Sequence, residues 1–165
     1  IIIEHVRTSA KEFIYAIDIE TNSKIGMEVV MHSSKKSKAL KKIDRPNAYI
    51  IKKNQTEIIE KLDINGIKTI RIENDTTLSV GSYTVTALKN DFKIYEKMKM
   101  QDVDVRIDYS DIVFSKGDLI LPMKQKKSNL IAELMEPEAP NSYVSFGLIK
   151  TGINKILPIY RIREL

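Results

Sequence analysis

The segment 117–161 constrains the fold most strongly, because it orders several unlike structural signals within a short stretch. It reads as a strand with a proline turn, a polar amide, a short helix, an acidic-proline stop, an aromatic segment and a last strand with a second proline. The apolar run 119–121 predicts the first of these strands, and Ser128 is placed to cap a helix over 129–135. Pro137 should end that helix, because proline lacks the N–H donor that a helix interior requires.

Two alternating segments near the N-terminus predict a β-hairpin. Residues 12–20 carry apolar side chains at every second position, and 26–31 follows after turn residues at 21–23. The polar, lysine-rich stretch 33–42 predicts a connecting loop. Residues 1–10 leave two interpretations open, a strand or a remnant of a preceding segment.

The middle of the chain predicts a compact strand–helix–strand unit. The short apolar run 48–51 is typical of a buried strand. Asn54 or Thr56 can cap the helix that follows, and Gly66 ends it because glycine tolerates the left-handed conformation. Alternation over 67–72 predicts the second strand. The apolar positions of this helix follow helical spacing: Ile58, Ile59 and Leu62.

Further β signals dominate the rest of the chain. Residues 77–88 are rich in Thr, Val and Tyr and predict a strand with a bulge or bend at Gly81. Residues 103–109 alternate, and a turn at 116–118 follows the short apolar segment 112–114.

These elements together predict an α+β fold with a mainly antiparallel or mixed, sandwich-like β core and two short helices. No convincing interior linker divides the 165 residues. The sequence therefore predicts one domain over 1–165, with 1–10 set apart as a segment of doubtful membership.

Composition narrows the class of protein. A chain of 165 residues can bury roughly 70% of its unfolded surface, and 42% hydrophobic residues is ordinary for a globular protein. Cysteine is absent, which excludes disulfides and thiolate chemistry. The chain begins Ile1-Ile2-Ile3 without an initiator Met, so we expect an excised piece of a longer protein.

The net charge of +5 raises the possibility of an anionic partner. Much of the excess lies in one run, which we call the basic cluster: Lys35, Lys36, Lys38, Lys41, Lys42, Arg45, Lys52 and Lys53. A nucleic-acid binder would interleave aromatic side chains for stacking, and only Tyr49 lies among these residues. We favour a solvated surface over a functional anion contact, and nucleic acid is not the expected partner.

The residues that catalytic zinc or nucleophilic chemistry needs are not arranged as those sites require. A catalytic zinc typically has three protein ligands with His among them, whereas the two histidines, His5 and His32, are isolated. No Gly-x-Ser-x-Gly elbow and no glycine-rich phosphate loop occurs. The sequence predicts no catalytic, cofactor-binding or metal-binding residue in this chain, and no cofactor of its own.

A carboxylate pair is the remaining catalytic option, and we consider it weak. Nothing in the sequence indicates that any of these carboxylates is buried with a raised pKa. The available groups are Asp102, Asp104, Asp108, Asp111, Glu133, Glu136 and Glu138.

For a set of aromatic residues and for Gln125, the sequence leaves two interpretations open. Tyr143 and Phe146 could line a pocket with Tyr49 and Tyr160, although aromatics at such spacings more often belong to a core. Gln125 after Pro122 could orient something polar or could satisfy nearby backbone groups.

Two ordered blocks of the sequence resemble a known family. The first is Arg-Pro-Asn-Ala-Tyr-Ile-Ile at 45–51, followed by a helix and Asn-Gly-Ile at 65–67. The second runs from Gly-Asp at 117 through Leu-Pro-Met, Gln125, Leu-Met-Glu-Pro at 134–137, Asn-Ser-Tyr and finally Leu-Pro-Ile-Tyr-Arg-Ile at 157–162. Their order and spacing resemble the segment that follows the catalytic domain in bacterial proteins of the zinc carboxypeptidase family. The departures are mild: Lys52 stands where that family often has Pro, Asn141 where it often has Asp, and Met135 where it often has Leu.

The resemblance implies a parent protein with zinc, its ligands and its catalytic glutamate upstream of Ile1. No residue of this chain matches those functional positions. The resemblance further implies an accessory domain whose partner is the upstream catalytic domain, with a peptide or cell-wall substrate and an extracellular or periplasmic location. Such a domain should expose an apolar patch where the catalytic domain docks.

Two other functions stay open from the sequence. The chain could be a stand-alone binding module that grips an anionic polymer through the basic cluster at 35–53. It could also be an unrecognised enzyme that uses the Asp and Glu residues named above.

Overall fold

The computed structural model describes residues 2–89, 94–95 and 97–163, with side chains described for 11–30, 37–89, 94–95, 97 and 99–163. The polypeptide forms two compact units, Ile1–Asp44 and Arg45–Leu165. The boundary between these compact units lies between Asp44 and Arg45. That residues 1–165 act together as one accessory domain stays a prediction.

The first unit is a long antiparallel ribbon of two strands, β1 (Ile2–Ile17) and β2 (Lys24–Lys41). In the turn between them, the Asp18 carboxylate accepts the backbone N–H groups of Glu20 and Thr21 at 2.8 and 2.9 Å. The predicted hairpin is confirmed. The loop predicted over 33–42 is wrong, because β2 continues to Lys41 opposite a β1 that starts at Ile2. Both faces of a two-stranded ribbon can contact water, so its strands can form where apolar and polar residues do not alternate.

The second unit is built on a sheet in which all neighbouring strands run antiparallel. Its strands are β3 (Ala48–Ile51), β4 (Ile70–Arg71), β5 (Thr76–Lys89), β6 (Ile94–Tyr95), β7 (Met98–Lys99), β8 (Asp102–Phe114), β9 (Leu119–Pro122) and β10 (Ile156–Ile162). Six strands of its described part follow the order β4-β9-β3-β10-β5-β8. A separate pair, β6 and β7, forms a small hairpin.

Two helices complete the second unit within the described residues, α1 (Thr56–Ile64) and α2 (Ser128–Met135). The α+β fold class, with a mainly antiparallel β core and two short helices, is therefore confirmed. Neither helix of the described chain is long and apolar enough to cross a membrane.

Strand β3 lies inside the sheet and is buried on both of its faces. Its four side chains are fully buried. Because successive side chains of a strand point to opposite faces, Tyr49 and Ile51 enter one core cluster while Ala48 and Ile50 enter another. The first cluster includes the inner faces of both helices, with Leu62 from α1 and residues of α2. The second cluster is formed by strand residues and Ile72: Ala48, Ile50, Ile72, Val80, Phe114 and Ile162.

The helix ends differ from the sequence prediction at their N-termini. Gln55 caps α1 and Lys127 caps α2, and neither makes a side-chain capping hydrogen bond. The predicted caps, Asn54 or Thr56 and Ser128, are therefore wrong. The predicted stop of α1 is confirmed, since Gly66 follows the C-cap with a φ of +60°.

Two strand predictions need correction. The segment 67–72 forms only the two-residue strand β4, because just Ile70 and Arg71 pair with β9. Gly81 is neither bulge nor bend: the β5–β8 register runs through it without a shift, and the irregularity lies between Val85 and Ala87. Gly81 is needed for space instead. A Cβ there would lie 2.9 Å from both Ile107 Cγ2 and Tyr109 Cε1.

We expect Gly81→Ala to destabilise the protein by about 1–3 kcal/mol, because the added methyl group overpacks the β5–β8 contact. The matched control is Gly152→Ala, where a Cβ would meet only the flexible side chain of Lys155 at 3.1 Å. Urea unfolding followed by circular dichroism gives both free energies of unfolding. Equal stability of the two variants would contradict the packing role of Gly81.

Candidate functional site

A largely buried carboxylate, Glu136, joins side chains from three strands in the second unit. Its Oε1 accepts a hydrogen bond from Tyr49 Oη at 2.5 Å, and its Oε2 accepts one from Tyr83 Oη at 2.9 Å. Arg161 Nε lies 3.5 Å from Oε1, with only 5% of the arginine side chain and 13% of the glutamate side chain exposed. We call these four residues the Glu136 cluster. A carboxylate, a guanidinium and two hydroxyls thus meet largely out of solvent.

The fold brings the cluster together through strand register and one proline. Arg161 on β10 is paired with Tyr49 on β3 and with Gly81 on β5, two residues before Tyr83. Glu136 follows the last residue of α2 and has an extended backbone, with ψ of 117°. The residue before a proline is held away from the helical region, so Pro137 turns Glu136 out of the helix toward the sheet.

The surroundings keep both tyrosines of the cluster neutral. Burial raises the pKa of the Tyr49 hydroxyl, and the nearby Glu136 charge raises it further. Burial and Glu136 also raise the pKa of Tyr83 well above its ordinary value. Both hydroxyls therefore act as hydrogen-bond donors to a carboxylate whose charge Arg161 balances. Such an arrangement fixes the end of α2 on the sheet.

A second buried carboxylate, Asp118, organises the turn between β8 and β9. Its Oδ1 accepts Lys53 N–H at 3.0 Å, and its Oδ2 accepts Ser115 N–H at 3.0 Å and the Lys52 ammonium at 3.1 Å. Lys52 Nζ also lies 4.2 Å from the ring centroid of Phe114. Burial raises the pKa of Asp118, but these hydrogen bonds and the Lys52 charge outweigh burial, and the pKa is lowered.

Most of the other candidate carboxylates contact cations or backbone N–H groups, and Asp102 and Asp104 share the Lys89 ammonium. Asp104 lies 2.8 Å from Lys89 Nζ, and Asp108 lies 2.9 Å from Arg106 Nε. The Glu138 carboxylate accepts a hydrogen bond from the Val105 N–H, and the Glu133 carboxylate accepts one from the Asn141 N–H. The remaining two are on β8: Asp102 lies 3.6 Å from Lys89 Nζ, and Asp111 is exposed.

The described side chains include no group of three or more His, Cys, Asp and Glu residues that could hold a metal ion. The side chains of His5 and His32 lie outside the described ones. That this chain has no catalytic, cofactor-binding or metal-binding residue stays a prediction.

The basic cluster falls in both compact units, because the boundary at Asp44/Arg45 divides it. In the first unit, Lys38 and Lys42 are exposed. In the second unit, Arg45 donates to Ser128 Oγ at 3.3 Å and to the Asn129 side chain, and Lys52 is paired with Asp118. The side chains of Lys35 and Lys36 lie outside the described ones. The anionic-polymer function stays a prediction, and the structural contacts of Arg45 and Lys52 do not favour it.

The aromatic residues considered for a common pocket separate into different surroundings. Tyr49 and Tyr143 belong to the first core cluster. Tyr160 packs on the second, with its ring centroid 5.1 Å from that of Phe114, while Phe146 contacts Tyr95 at 6.4 Å. The pocket interpretation is therefore wrong, and the core interpretation holds for Tyr49 and Tyr143.

Gln125 satisfies backbone groups, as the second of its two interpretations proposed. Its Oε1 accepts Lys68 N–H at 2.9 Å, and its Nε2 donates to the carbonyls of Lys68 and Pro122 at 3.0 and 2.7 Å. Gln125 thus ties the start of the α2 connection to the segment before β4.

A shallow, open depression of about 420 Å³ lies beside the β8–β9 turn. Its lining combines charges of both signs with exposed backbone: Arg71, Ile72, Glu73, Asn74, Lys116 and Gly117. Lys116 N–H is already taken by the Asp75 carboxylate at 2.8 Å, so this backbone donor is not free for a ligand.

Sequence reasoning missed the Glu136 cluster as a unit. Tyr49, Glu136 and Arg161 each lie in the two blocks that carry the family resemblance. Tyr83 lies outside those blocks and gave no signal. Three of the four members could have been singled out by their place in the blocks, but their meeting depends on strand order.

Comparisons with known proteins give a consistent but distant relationship. The chain is 27% identical over 156 residues to carboxypeptidase 2 of Trichophyton rubrum and 26% identical over 155 residues to carboxypeptidase 2 of Trichophyton tonsurans. Each match covers 94% of this chain and 27% of the relative. The chain is thus carboxypeptidase-like over nearly its whole length and spans about a quarter of the length of these curated relatives. No family model matches it, and no solved structure matches it.

The ionised Asp118 should stabilise the fold in a pH-dependent way. Because its pKa is lowered from 3.8 in the folded state, the stabilisation is present above about pH 4 and is lost as the pH falls through the folded-state pKa. We expect Asp118→Asn to lower the free energy of unfolding at pH 7 and to reduce its decline below about pH 4. Urea unfolding at a series of pH values measures both. The control is Asp63→Asn on the exposed side of α1. If the stability of the Asp118 variant declined with falling pH as that of the unmodified protein does, this role of Asp118 would be contradicted.

Glu136→Ala should destabilise the protein by about 3 kcal/mol, because it removes the carboxylate that is ion-paired with the buried Arg161 and that accepts hydrogen bonds from two buried tyrosine hydroxyls. Tyr83→Phe removes one hydrogen bond and should cost about 1 kcal/mol. The control is Glu57→Ala on α1, whose 69% exposed carboxylate lies 3.6 Å from Lys61 and should contribute little. Thermal and urea unfolding measure the differences. Equal losses in the free energy of unfolding for Glu136→Ala and Glu57→Ala would show that the Glu136 cluster does not stabilise the fold.

Proposed function

We propose that this chain is a non-catalytic C-terminal accessory domain of a zinc-dependent carboxypeptidase, in which it supports the catalytic domain or helps to position the substrate. The carrying observation is the extent of the matches. They cover 94% of this chain but only 27% of proteins named carboxypeptidase 2. The simplest explanation of that coverage is that this chain corresponds to one domain-sized part of such a protein.

The chemistry of the buried polar groups supports a scaffold role. The Glu136 and Asp118 carboxylates receive hydrogen bonds from side chains and backbone that hold separate elements together. Charged groups used in this way fix a structure, because moving either partner would leave an uncompensated buried charge. These contacts support the proposal that the second unit acts as a scaffold.

The proposal assigns zinc, its ligands and peptide-bond hydrolysis to the part of the parent outside this chain, as the family resemblance implies. A catalytic zinc site typically has three protein ligands with His among them. The peptide or cell-wall nature of the substrate follows from the family resemblance alone.

The proposal predicts that this chain alone does not hydrolyse peptides. Purified chain should release no C-terminal amino acid from a panel of blocked dipeptides with or without added zinc. The longer parent should cleave at least one of them and lose that activity with a chelator such as 1,10-phenanthroline. A chelator-sensitive peptidase activity in this chain alone would overturn the proposal.

The sequence upstream of Ile1 in the parent provides an independent check. It should contain a His-x-x-Glu pair and a later His able to complete a zinc site. A parent that lacks these ligands and shows no peptidase activity would refute the zinc carboxypeptidase assignment.

A further inference from the structure

Helix α1 ends on the dipeptide Asn65-Gly66, which places a side-chain amide next to an unshielded backbone nitrogen. Asn65 is the C-cap residue of the helix and is the one asparagine of the sequence that a glycine follows. Glycine has no Cβ, so no side chain on Gly66 keeps its nitrogen away from a neighbouring carbonyl carbon. Both residues are exposed, so water and base can reach them. Asparagine is also one of the thermolabile residues of proteins.

The chemistry open to this dipeptide is deamidation through a cyclic imide. A base takes the proton of the Gly66 nitrogen, which attacks Cγ of the Asn65 side chain and forms a new N–Cγ bond. The Cγ–Nδ2 bond breaks, and Nδ2 leaves as ammonia with the proton returned by the base. Water then opens the imide at either carbonyl, which gives aspartate or, with the main chain continuing through Cγ, isoaspartate. The reaction needs no oxidant, cofactor or enzyme.

The folded backbone holds the attacking nitrogen away from its target. The imide ring can close only if the Gly66 nitrogen turns toward the Asn65 side chain, and the ψ angle of Asn65 sets that rotation. Its value of −1° means that the Gly66 nitrogen eclipses the Asn65 nitrogen and so lies off the Cβ side. The Gly66 N–H also donates to the Asp63 carbonyl oxygen at 2.8 Å. The attacking nitrogen therefore points away from Cγ and is already hydrogen-bonded.

The Asn65 side chain and the turn around it are held as well. Asn65 Nδ2 donates to the Lys61 carbonyl oxygen at 2.8 Å, which directs the amide back along the helix. The Ile67 N–H donates to the Leu62 carbonyl oxygen at 3.0 Å, and both of these side chains are buried in the first core cluster. The Lys127 ammonium, at the start of α2, donates to the Asn65 carbonyl oxygen. Reaction at Asn65 therefore requires this turn to open, and core packing and Lys127 both oppose the opening.

We propose that Asn65 is a latent deamidation site: the closed turn at the end of α1 suppresses the reaction, and local opening of that turn permits it. The inference goes beyond the proposed function and does not depend on it. It concerns a modification that the chain undergoes through its own groups and water.

The product disturbs the turn that protected the asparagine. A carboxylate at position 65 cannot donate to the Lys61 carbonyl oxygen, and its charge lies at the C-terminal end of a helix, where the macrodipole disfavours an anion. Isoaspartate also lengthens the main chain by one carbon between α1 and β4. The deamidated chain should therefore unfold at a lower urea concentration than the intact chain.

A comparison of the folded and the unfolded chain tests the proposal without any substitution. The chain is incubated at mildly alkaline pH, either in buffer with sodium chloride or in guanidinium chloride of the same ionic strength that unfolds it. Peptide mass spectrometry measures conversion at Asn65, and isoaspartyl methyltransferase identifies isoaspartate. We expect conversion to be at least about tenfold slower in the folded chain. Equal rates would overturn the protection by the fold, and the absence of conversion in the unfolded chain would overturn the site itself.

A matched pair of variants tests whether this turn controls the rate. Lys127→Ala removes the donor to the Asn65 carbonyl oxygen, whereas Lys126→Ala removes the same charge from the neighbouring exposed residue. Because the turn opens more often without one of its hydrogen bonds, Lys127→Ala should speed conversion in the folded chain by about two- to fivefold. Lys126→Ala should leave the rate unchanged, and circular dichroism checks that both variants are folded. No acceleration by Lys127→Ala, or an equal acceleration by Lys126→Ala, would overturn the control of the reaction by this turn.

Discussion

The second unit depends on one short strand that is buried from both sides. Ala48–Ile51 has four fully buried side chains, and their alternation sends two into each core cluster. Such a strand is stable only if both faces are covered. The two helices cover the Tyr49 side. On the Ala48 side, Phe114, Val80 and Ile162 from neighbouring strands close the second cluster.

The Glu136 cluster secures the helical cover on that strand. Apolar burial of Ile131 and Met135 brings α2 to the sheet but does not fix its end in one direction. The carboxylate does so, because two hydroxyls and a guanidinium from three adjacent strands converge on it. Buried polar groups of this kind favour one arrangement over others that would leave them unsatisfied. The proposed accessory role would call for such a unique geometry more than for reactive groups in this chain.

The sequence was sufficient where one local signal decides the structure. The run 48–51 and the helix ended by Gly66 could be predicted because apolar periodicity and left-handed glycine act locally. The lysine-rich part of β2 could not, because its strand conformation comes from pairing with residues far along the chain and not from its own composition. Gly81 suggested a bulge, but its reason is the space taken by Ile107 and Tyr109 across the strand pair. The Glu136 cluster also depends on strand order, which no single segment encodes.

The edge strand β8 has a consequence for how the molecule behaves at high concentration. It lies at one end of the sheet and carries charged residues at alternate positions, including Asp104, Arg106 and Asp108. An extended chain from another molecule that tried to lengthen the sheet there would have to strip water from these groups without offering them matched partners. Charges on an exposed edge are one of the ways in which natural sheets resist polymerisation. The charged margin of the sheet thus discourages edge-to-edge association between copies of the protein.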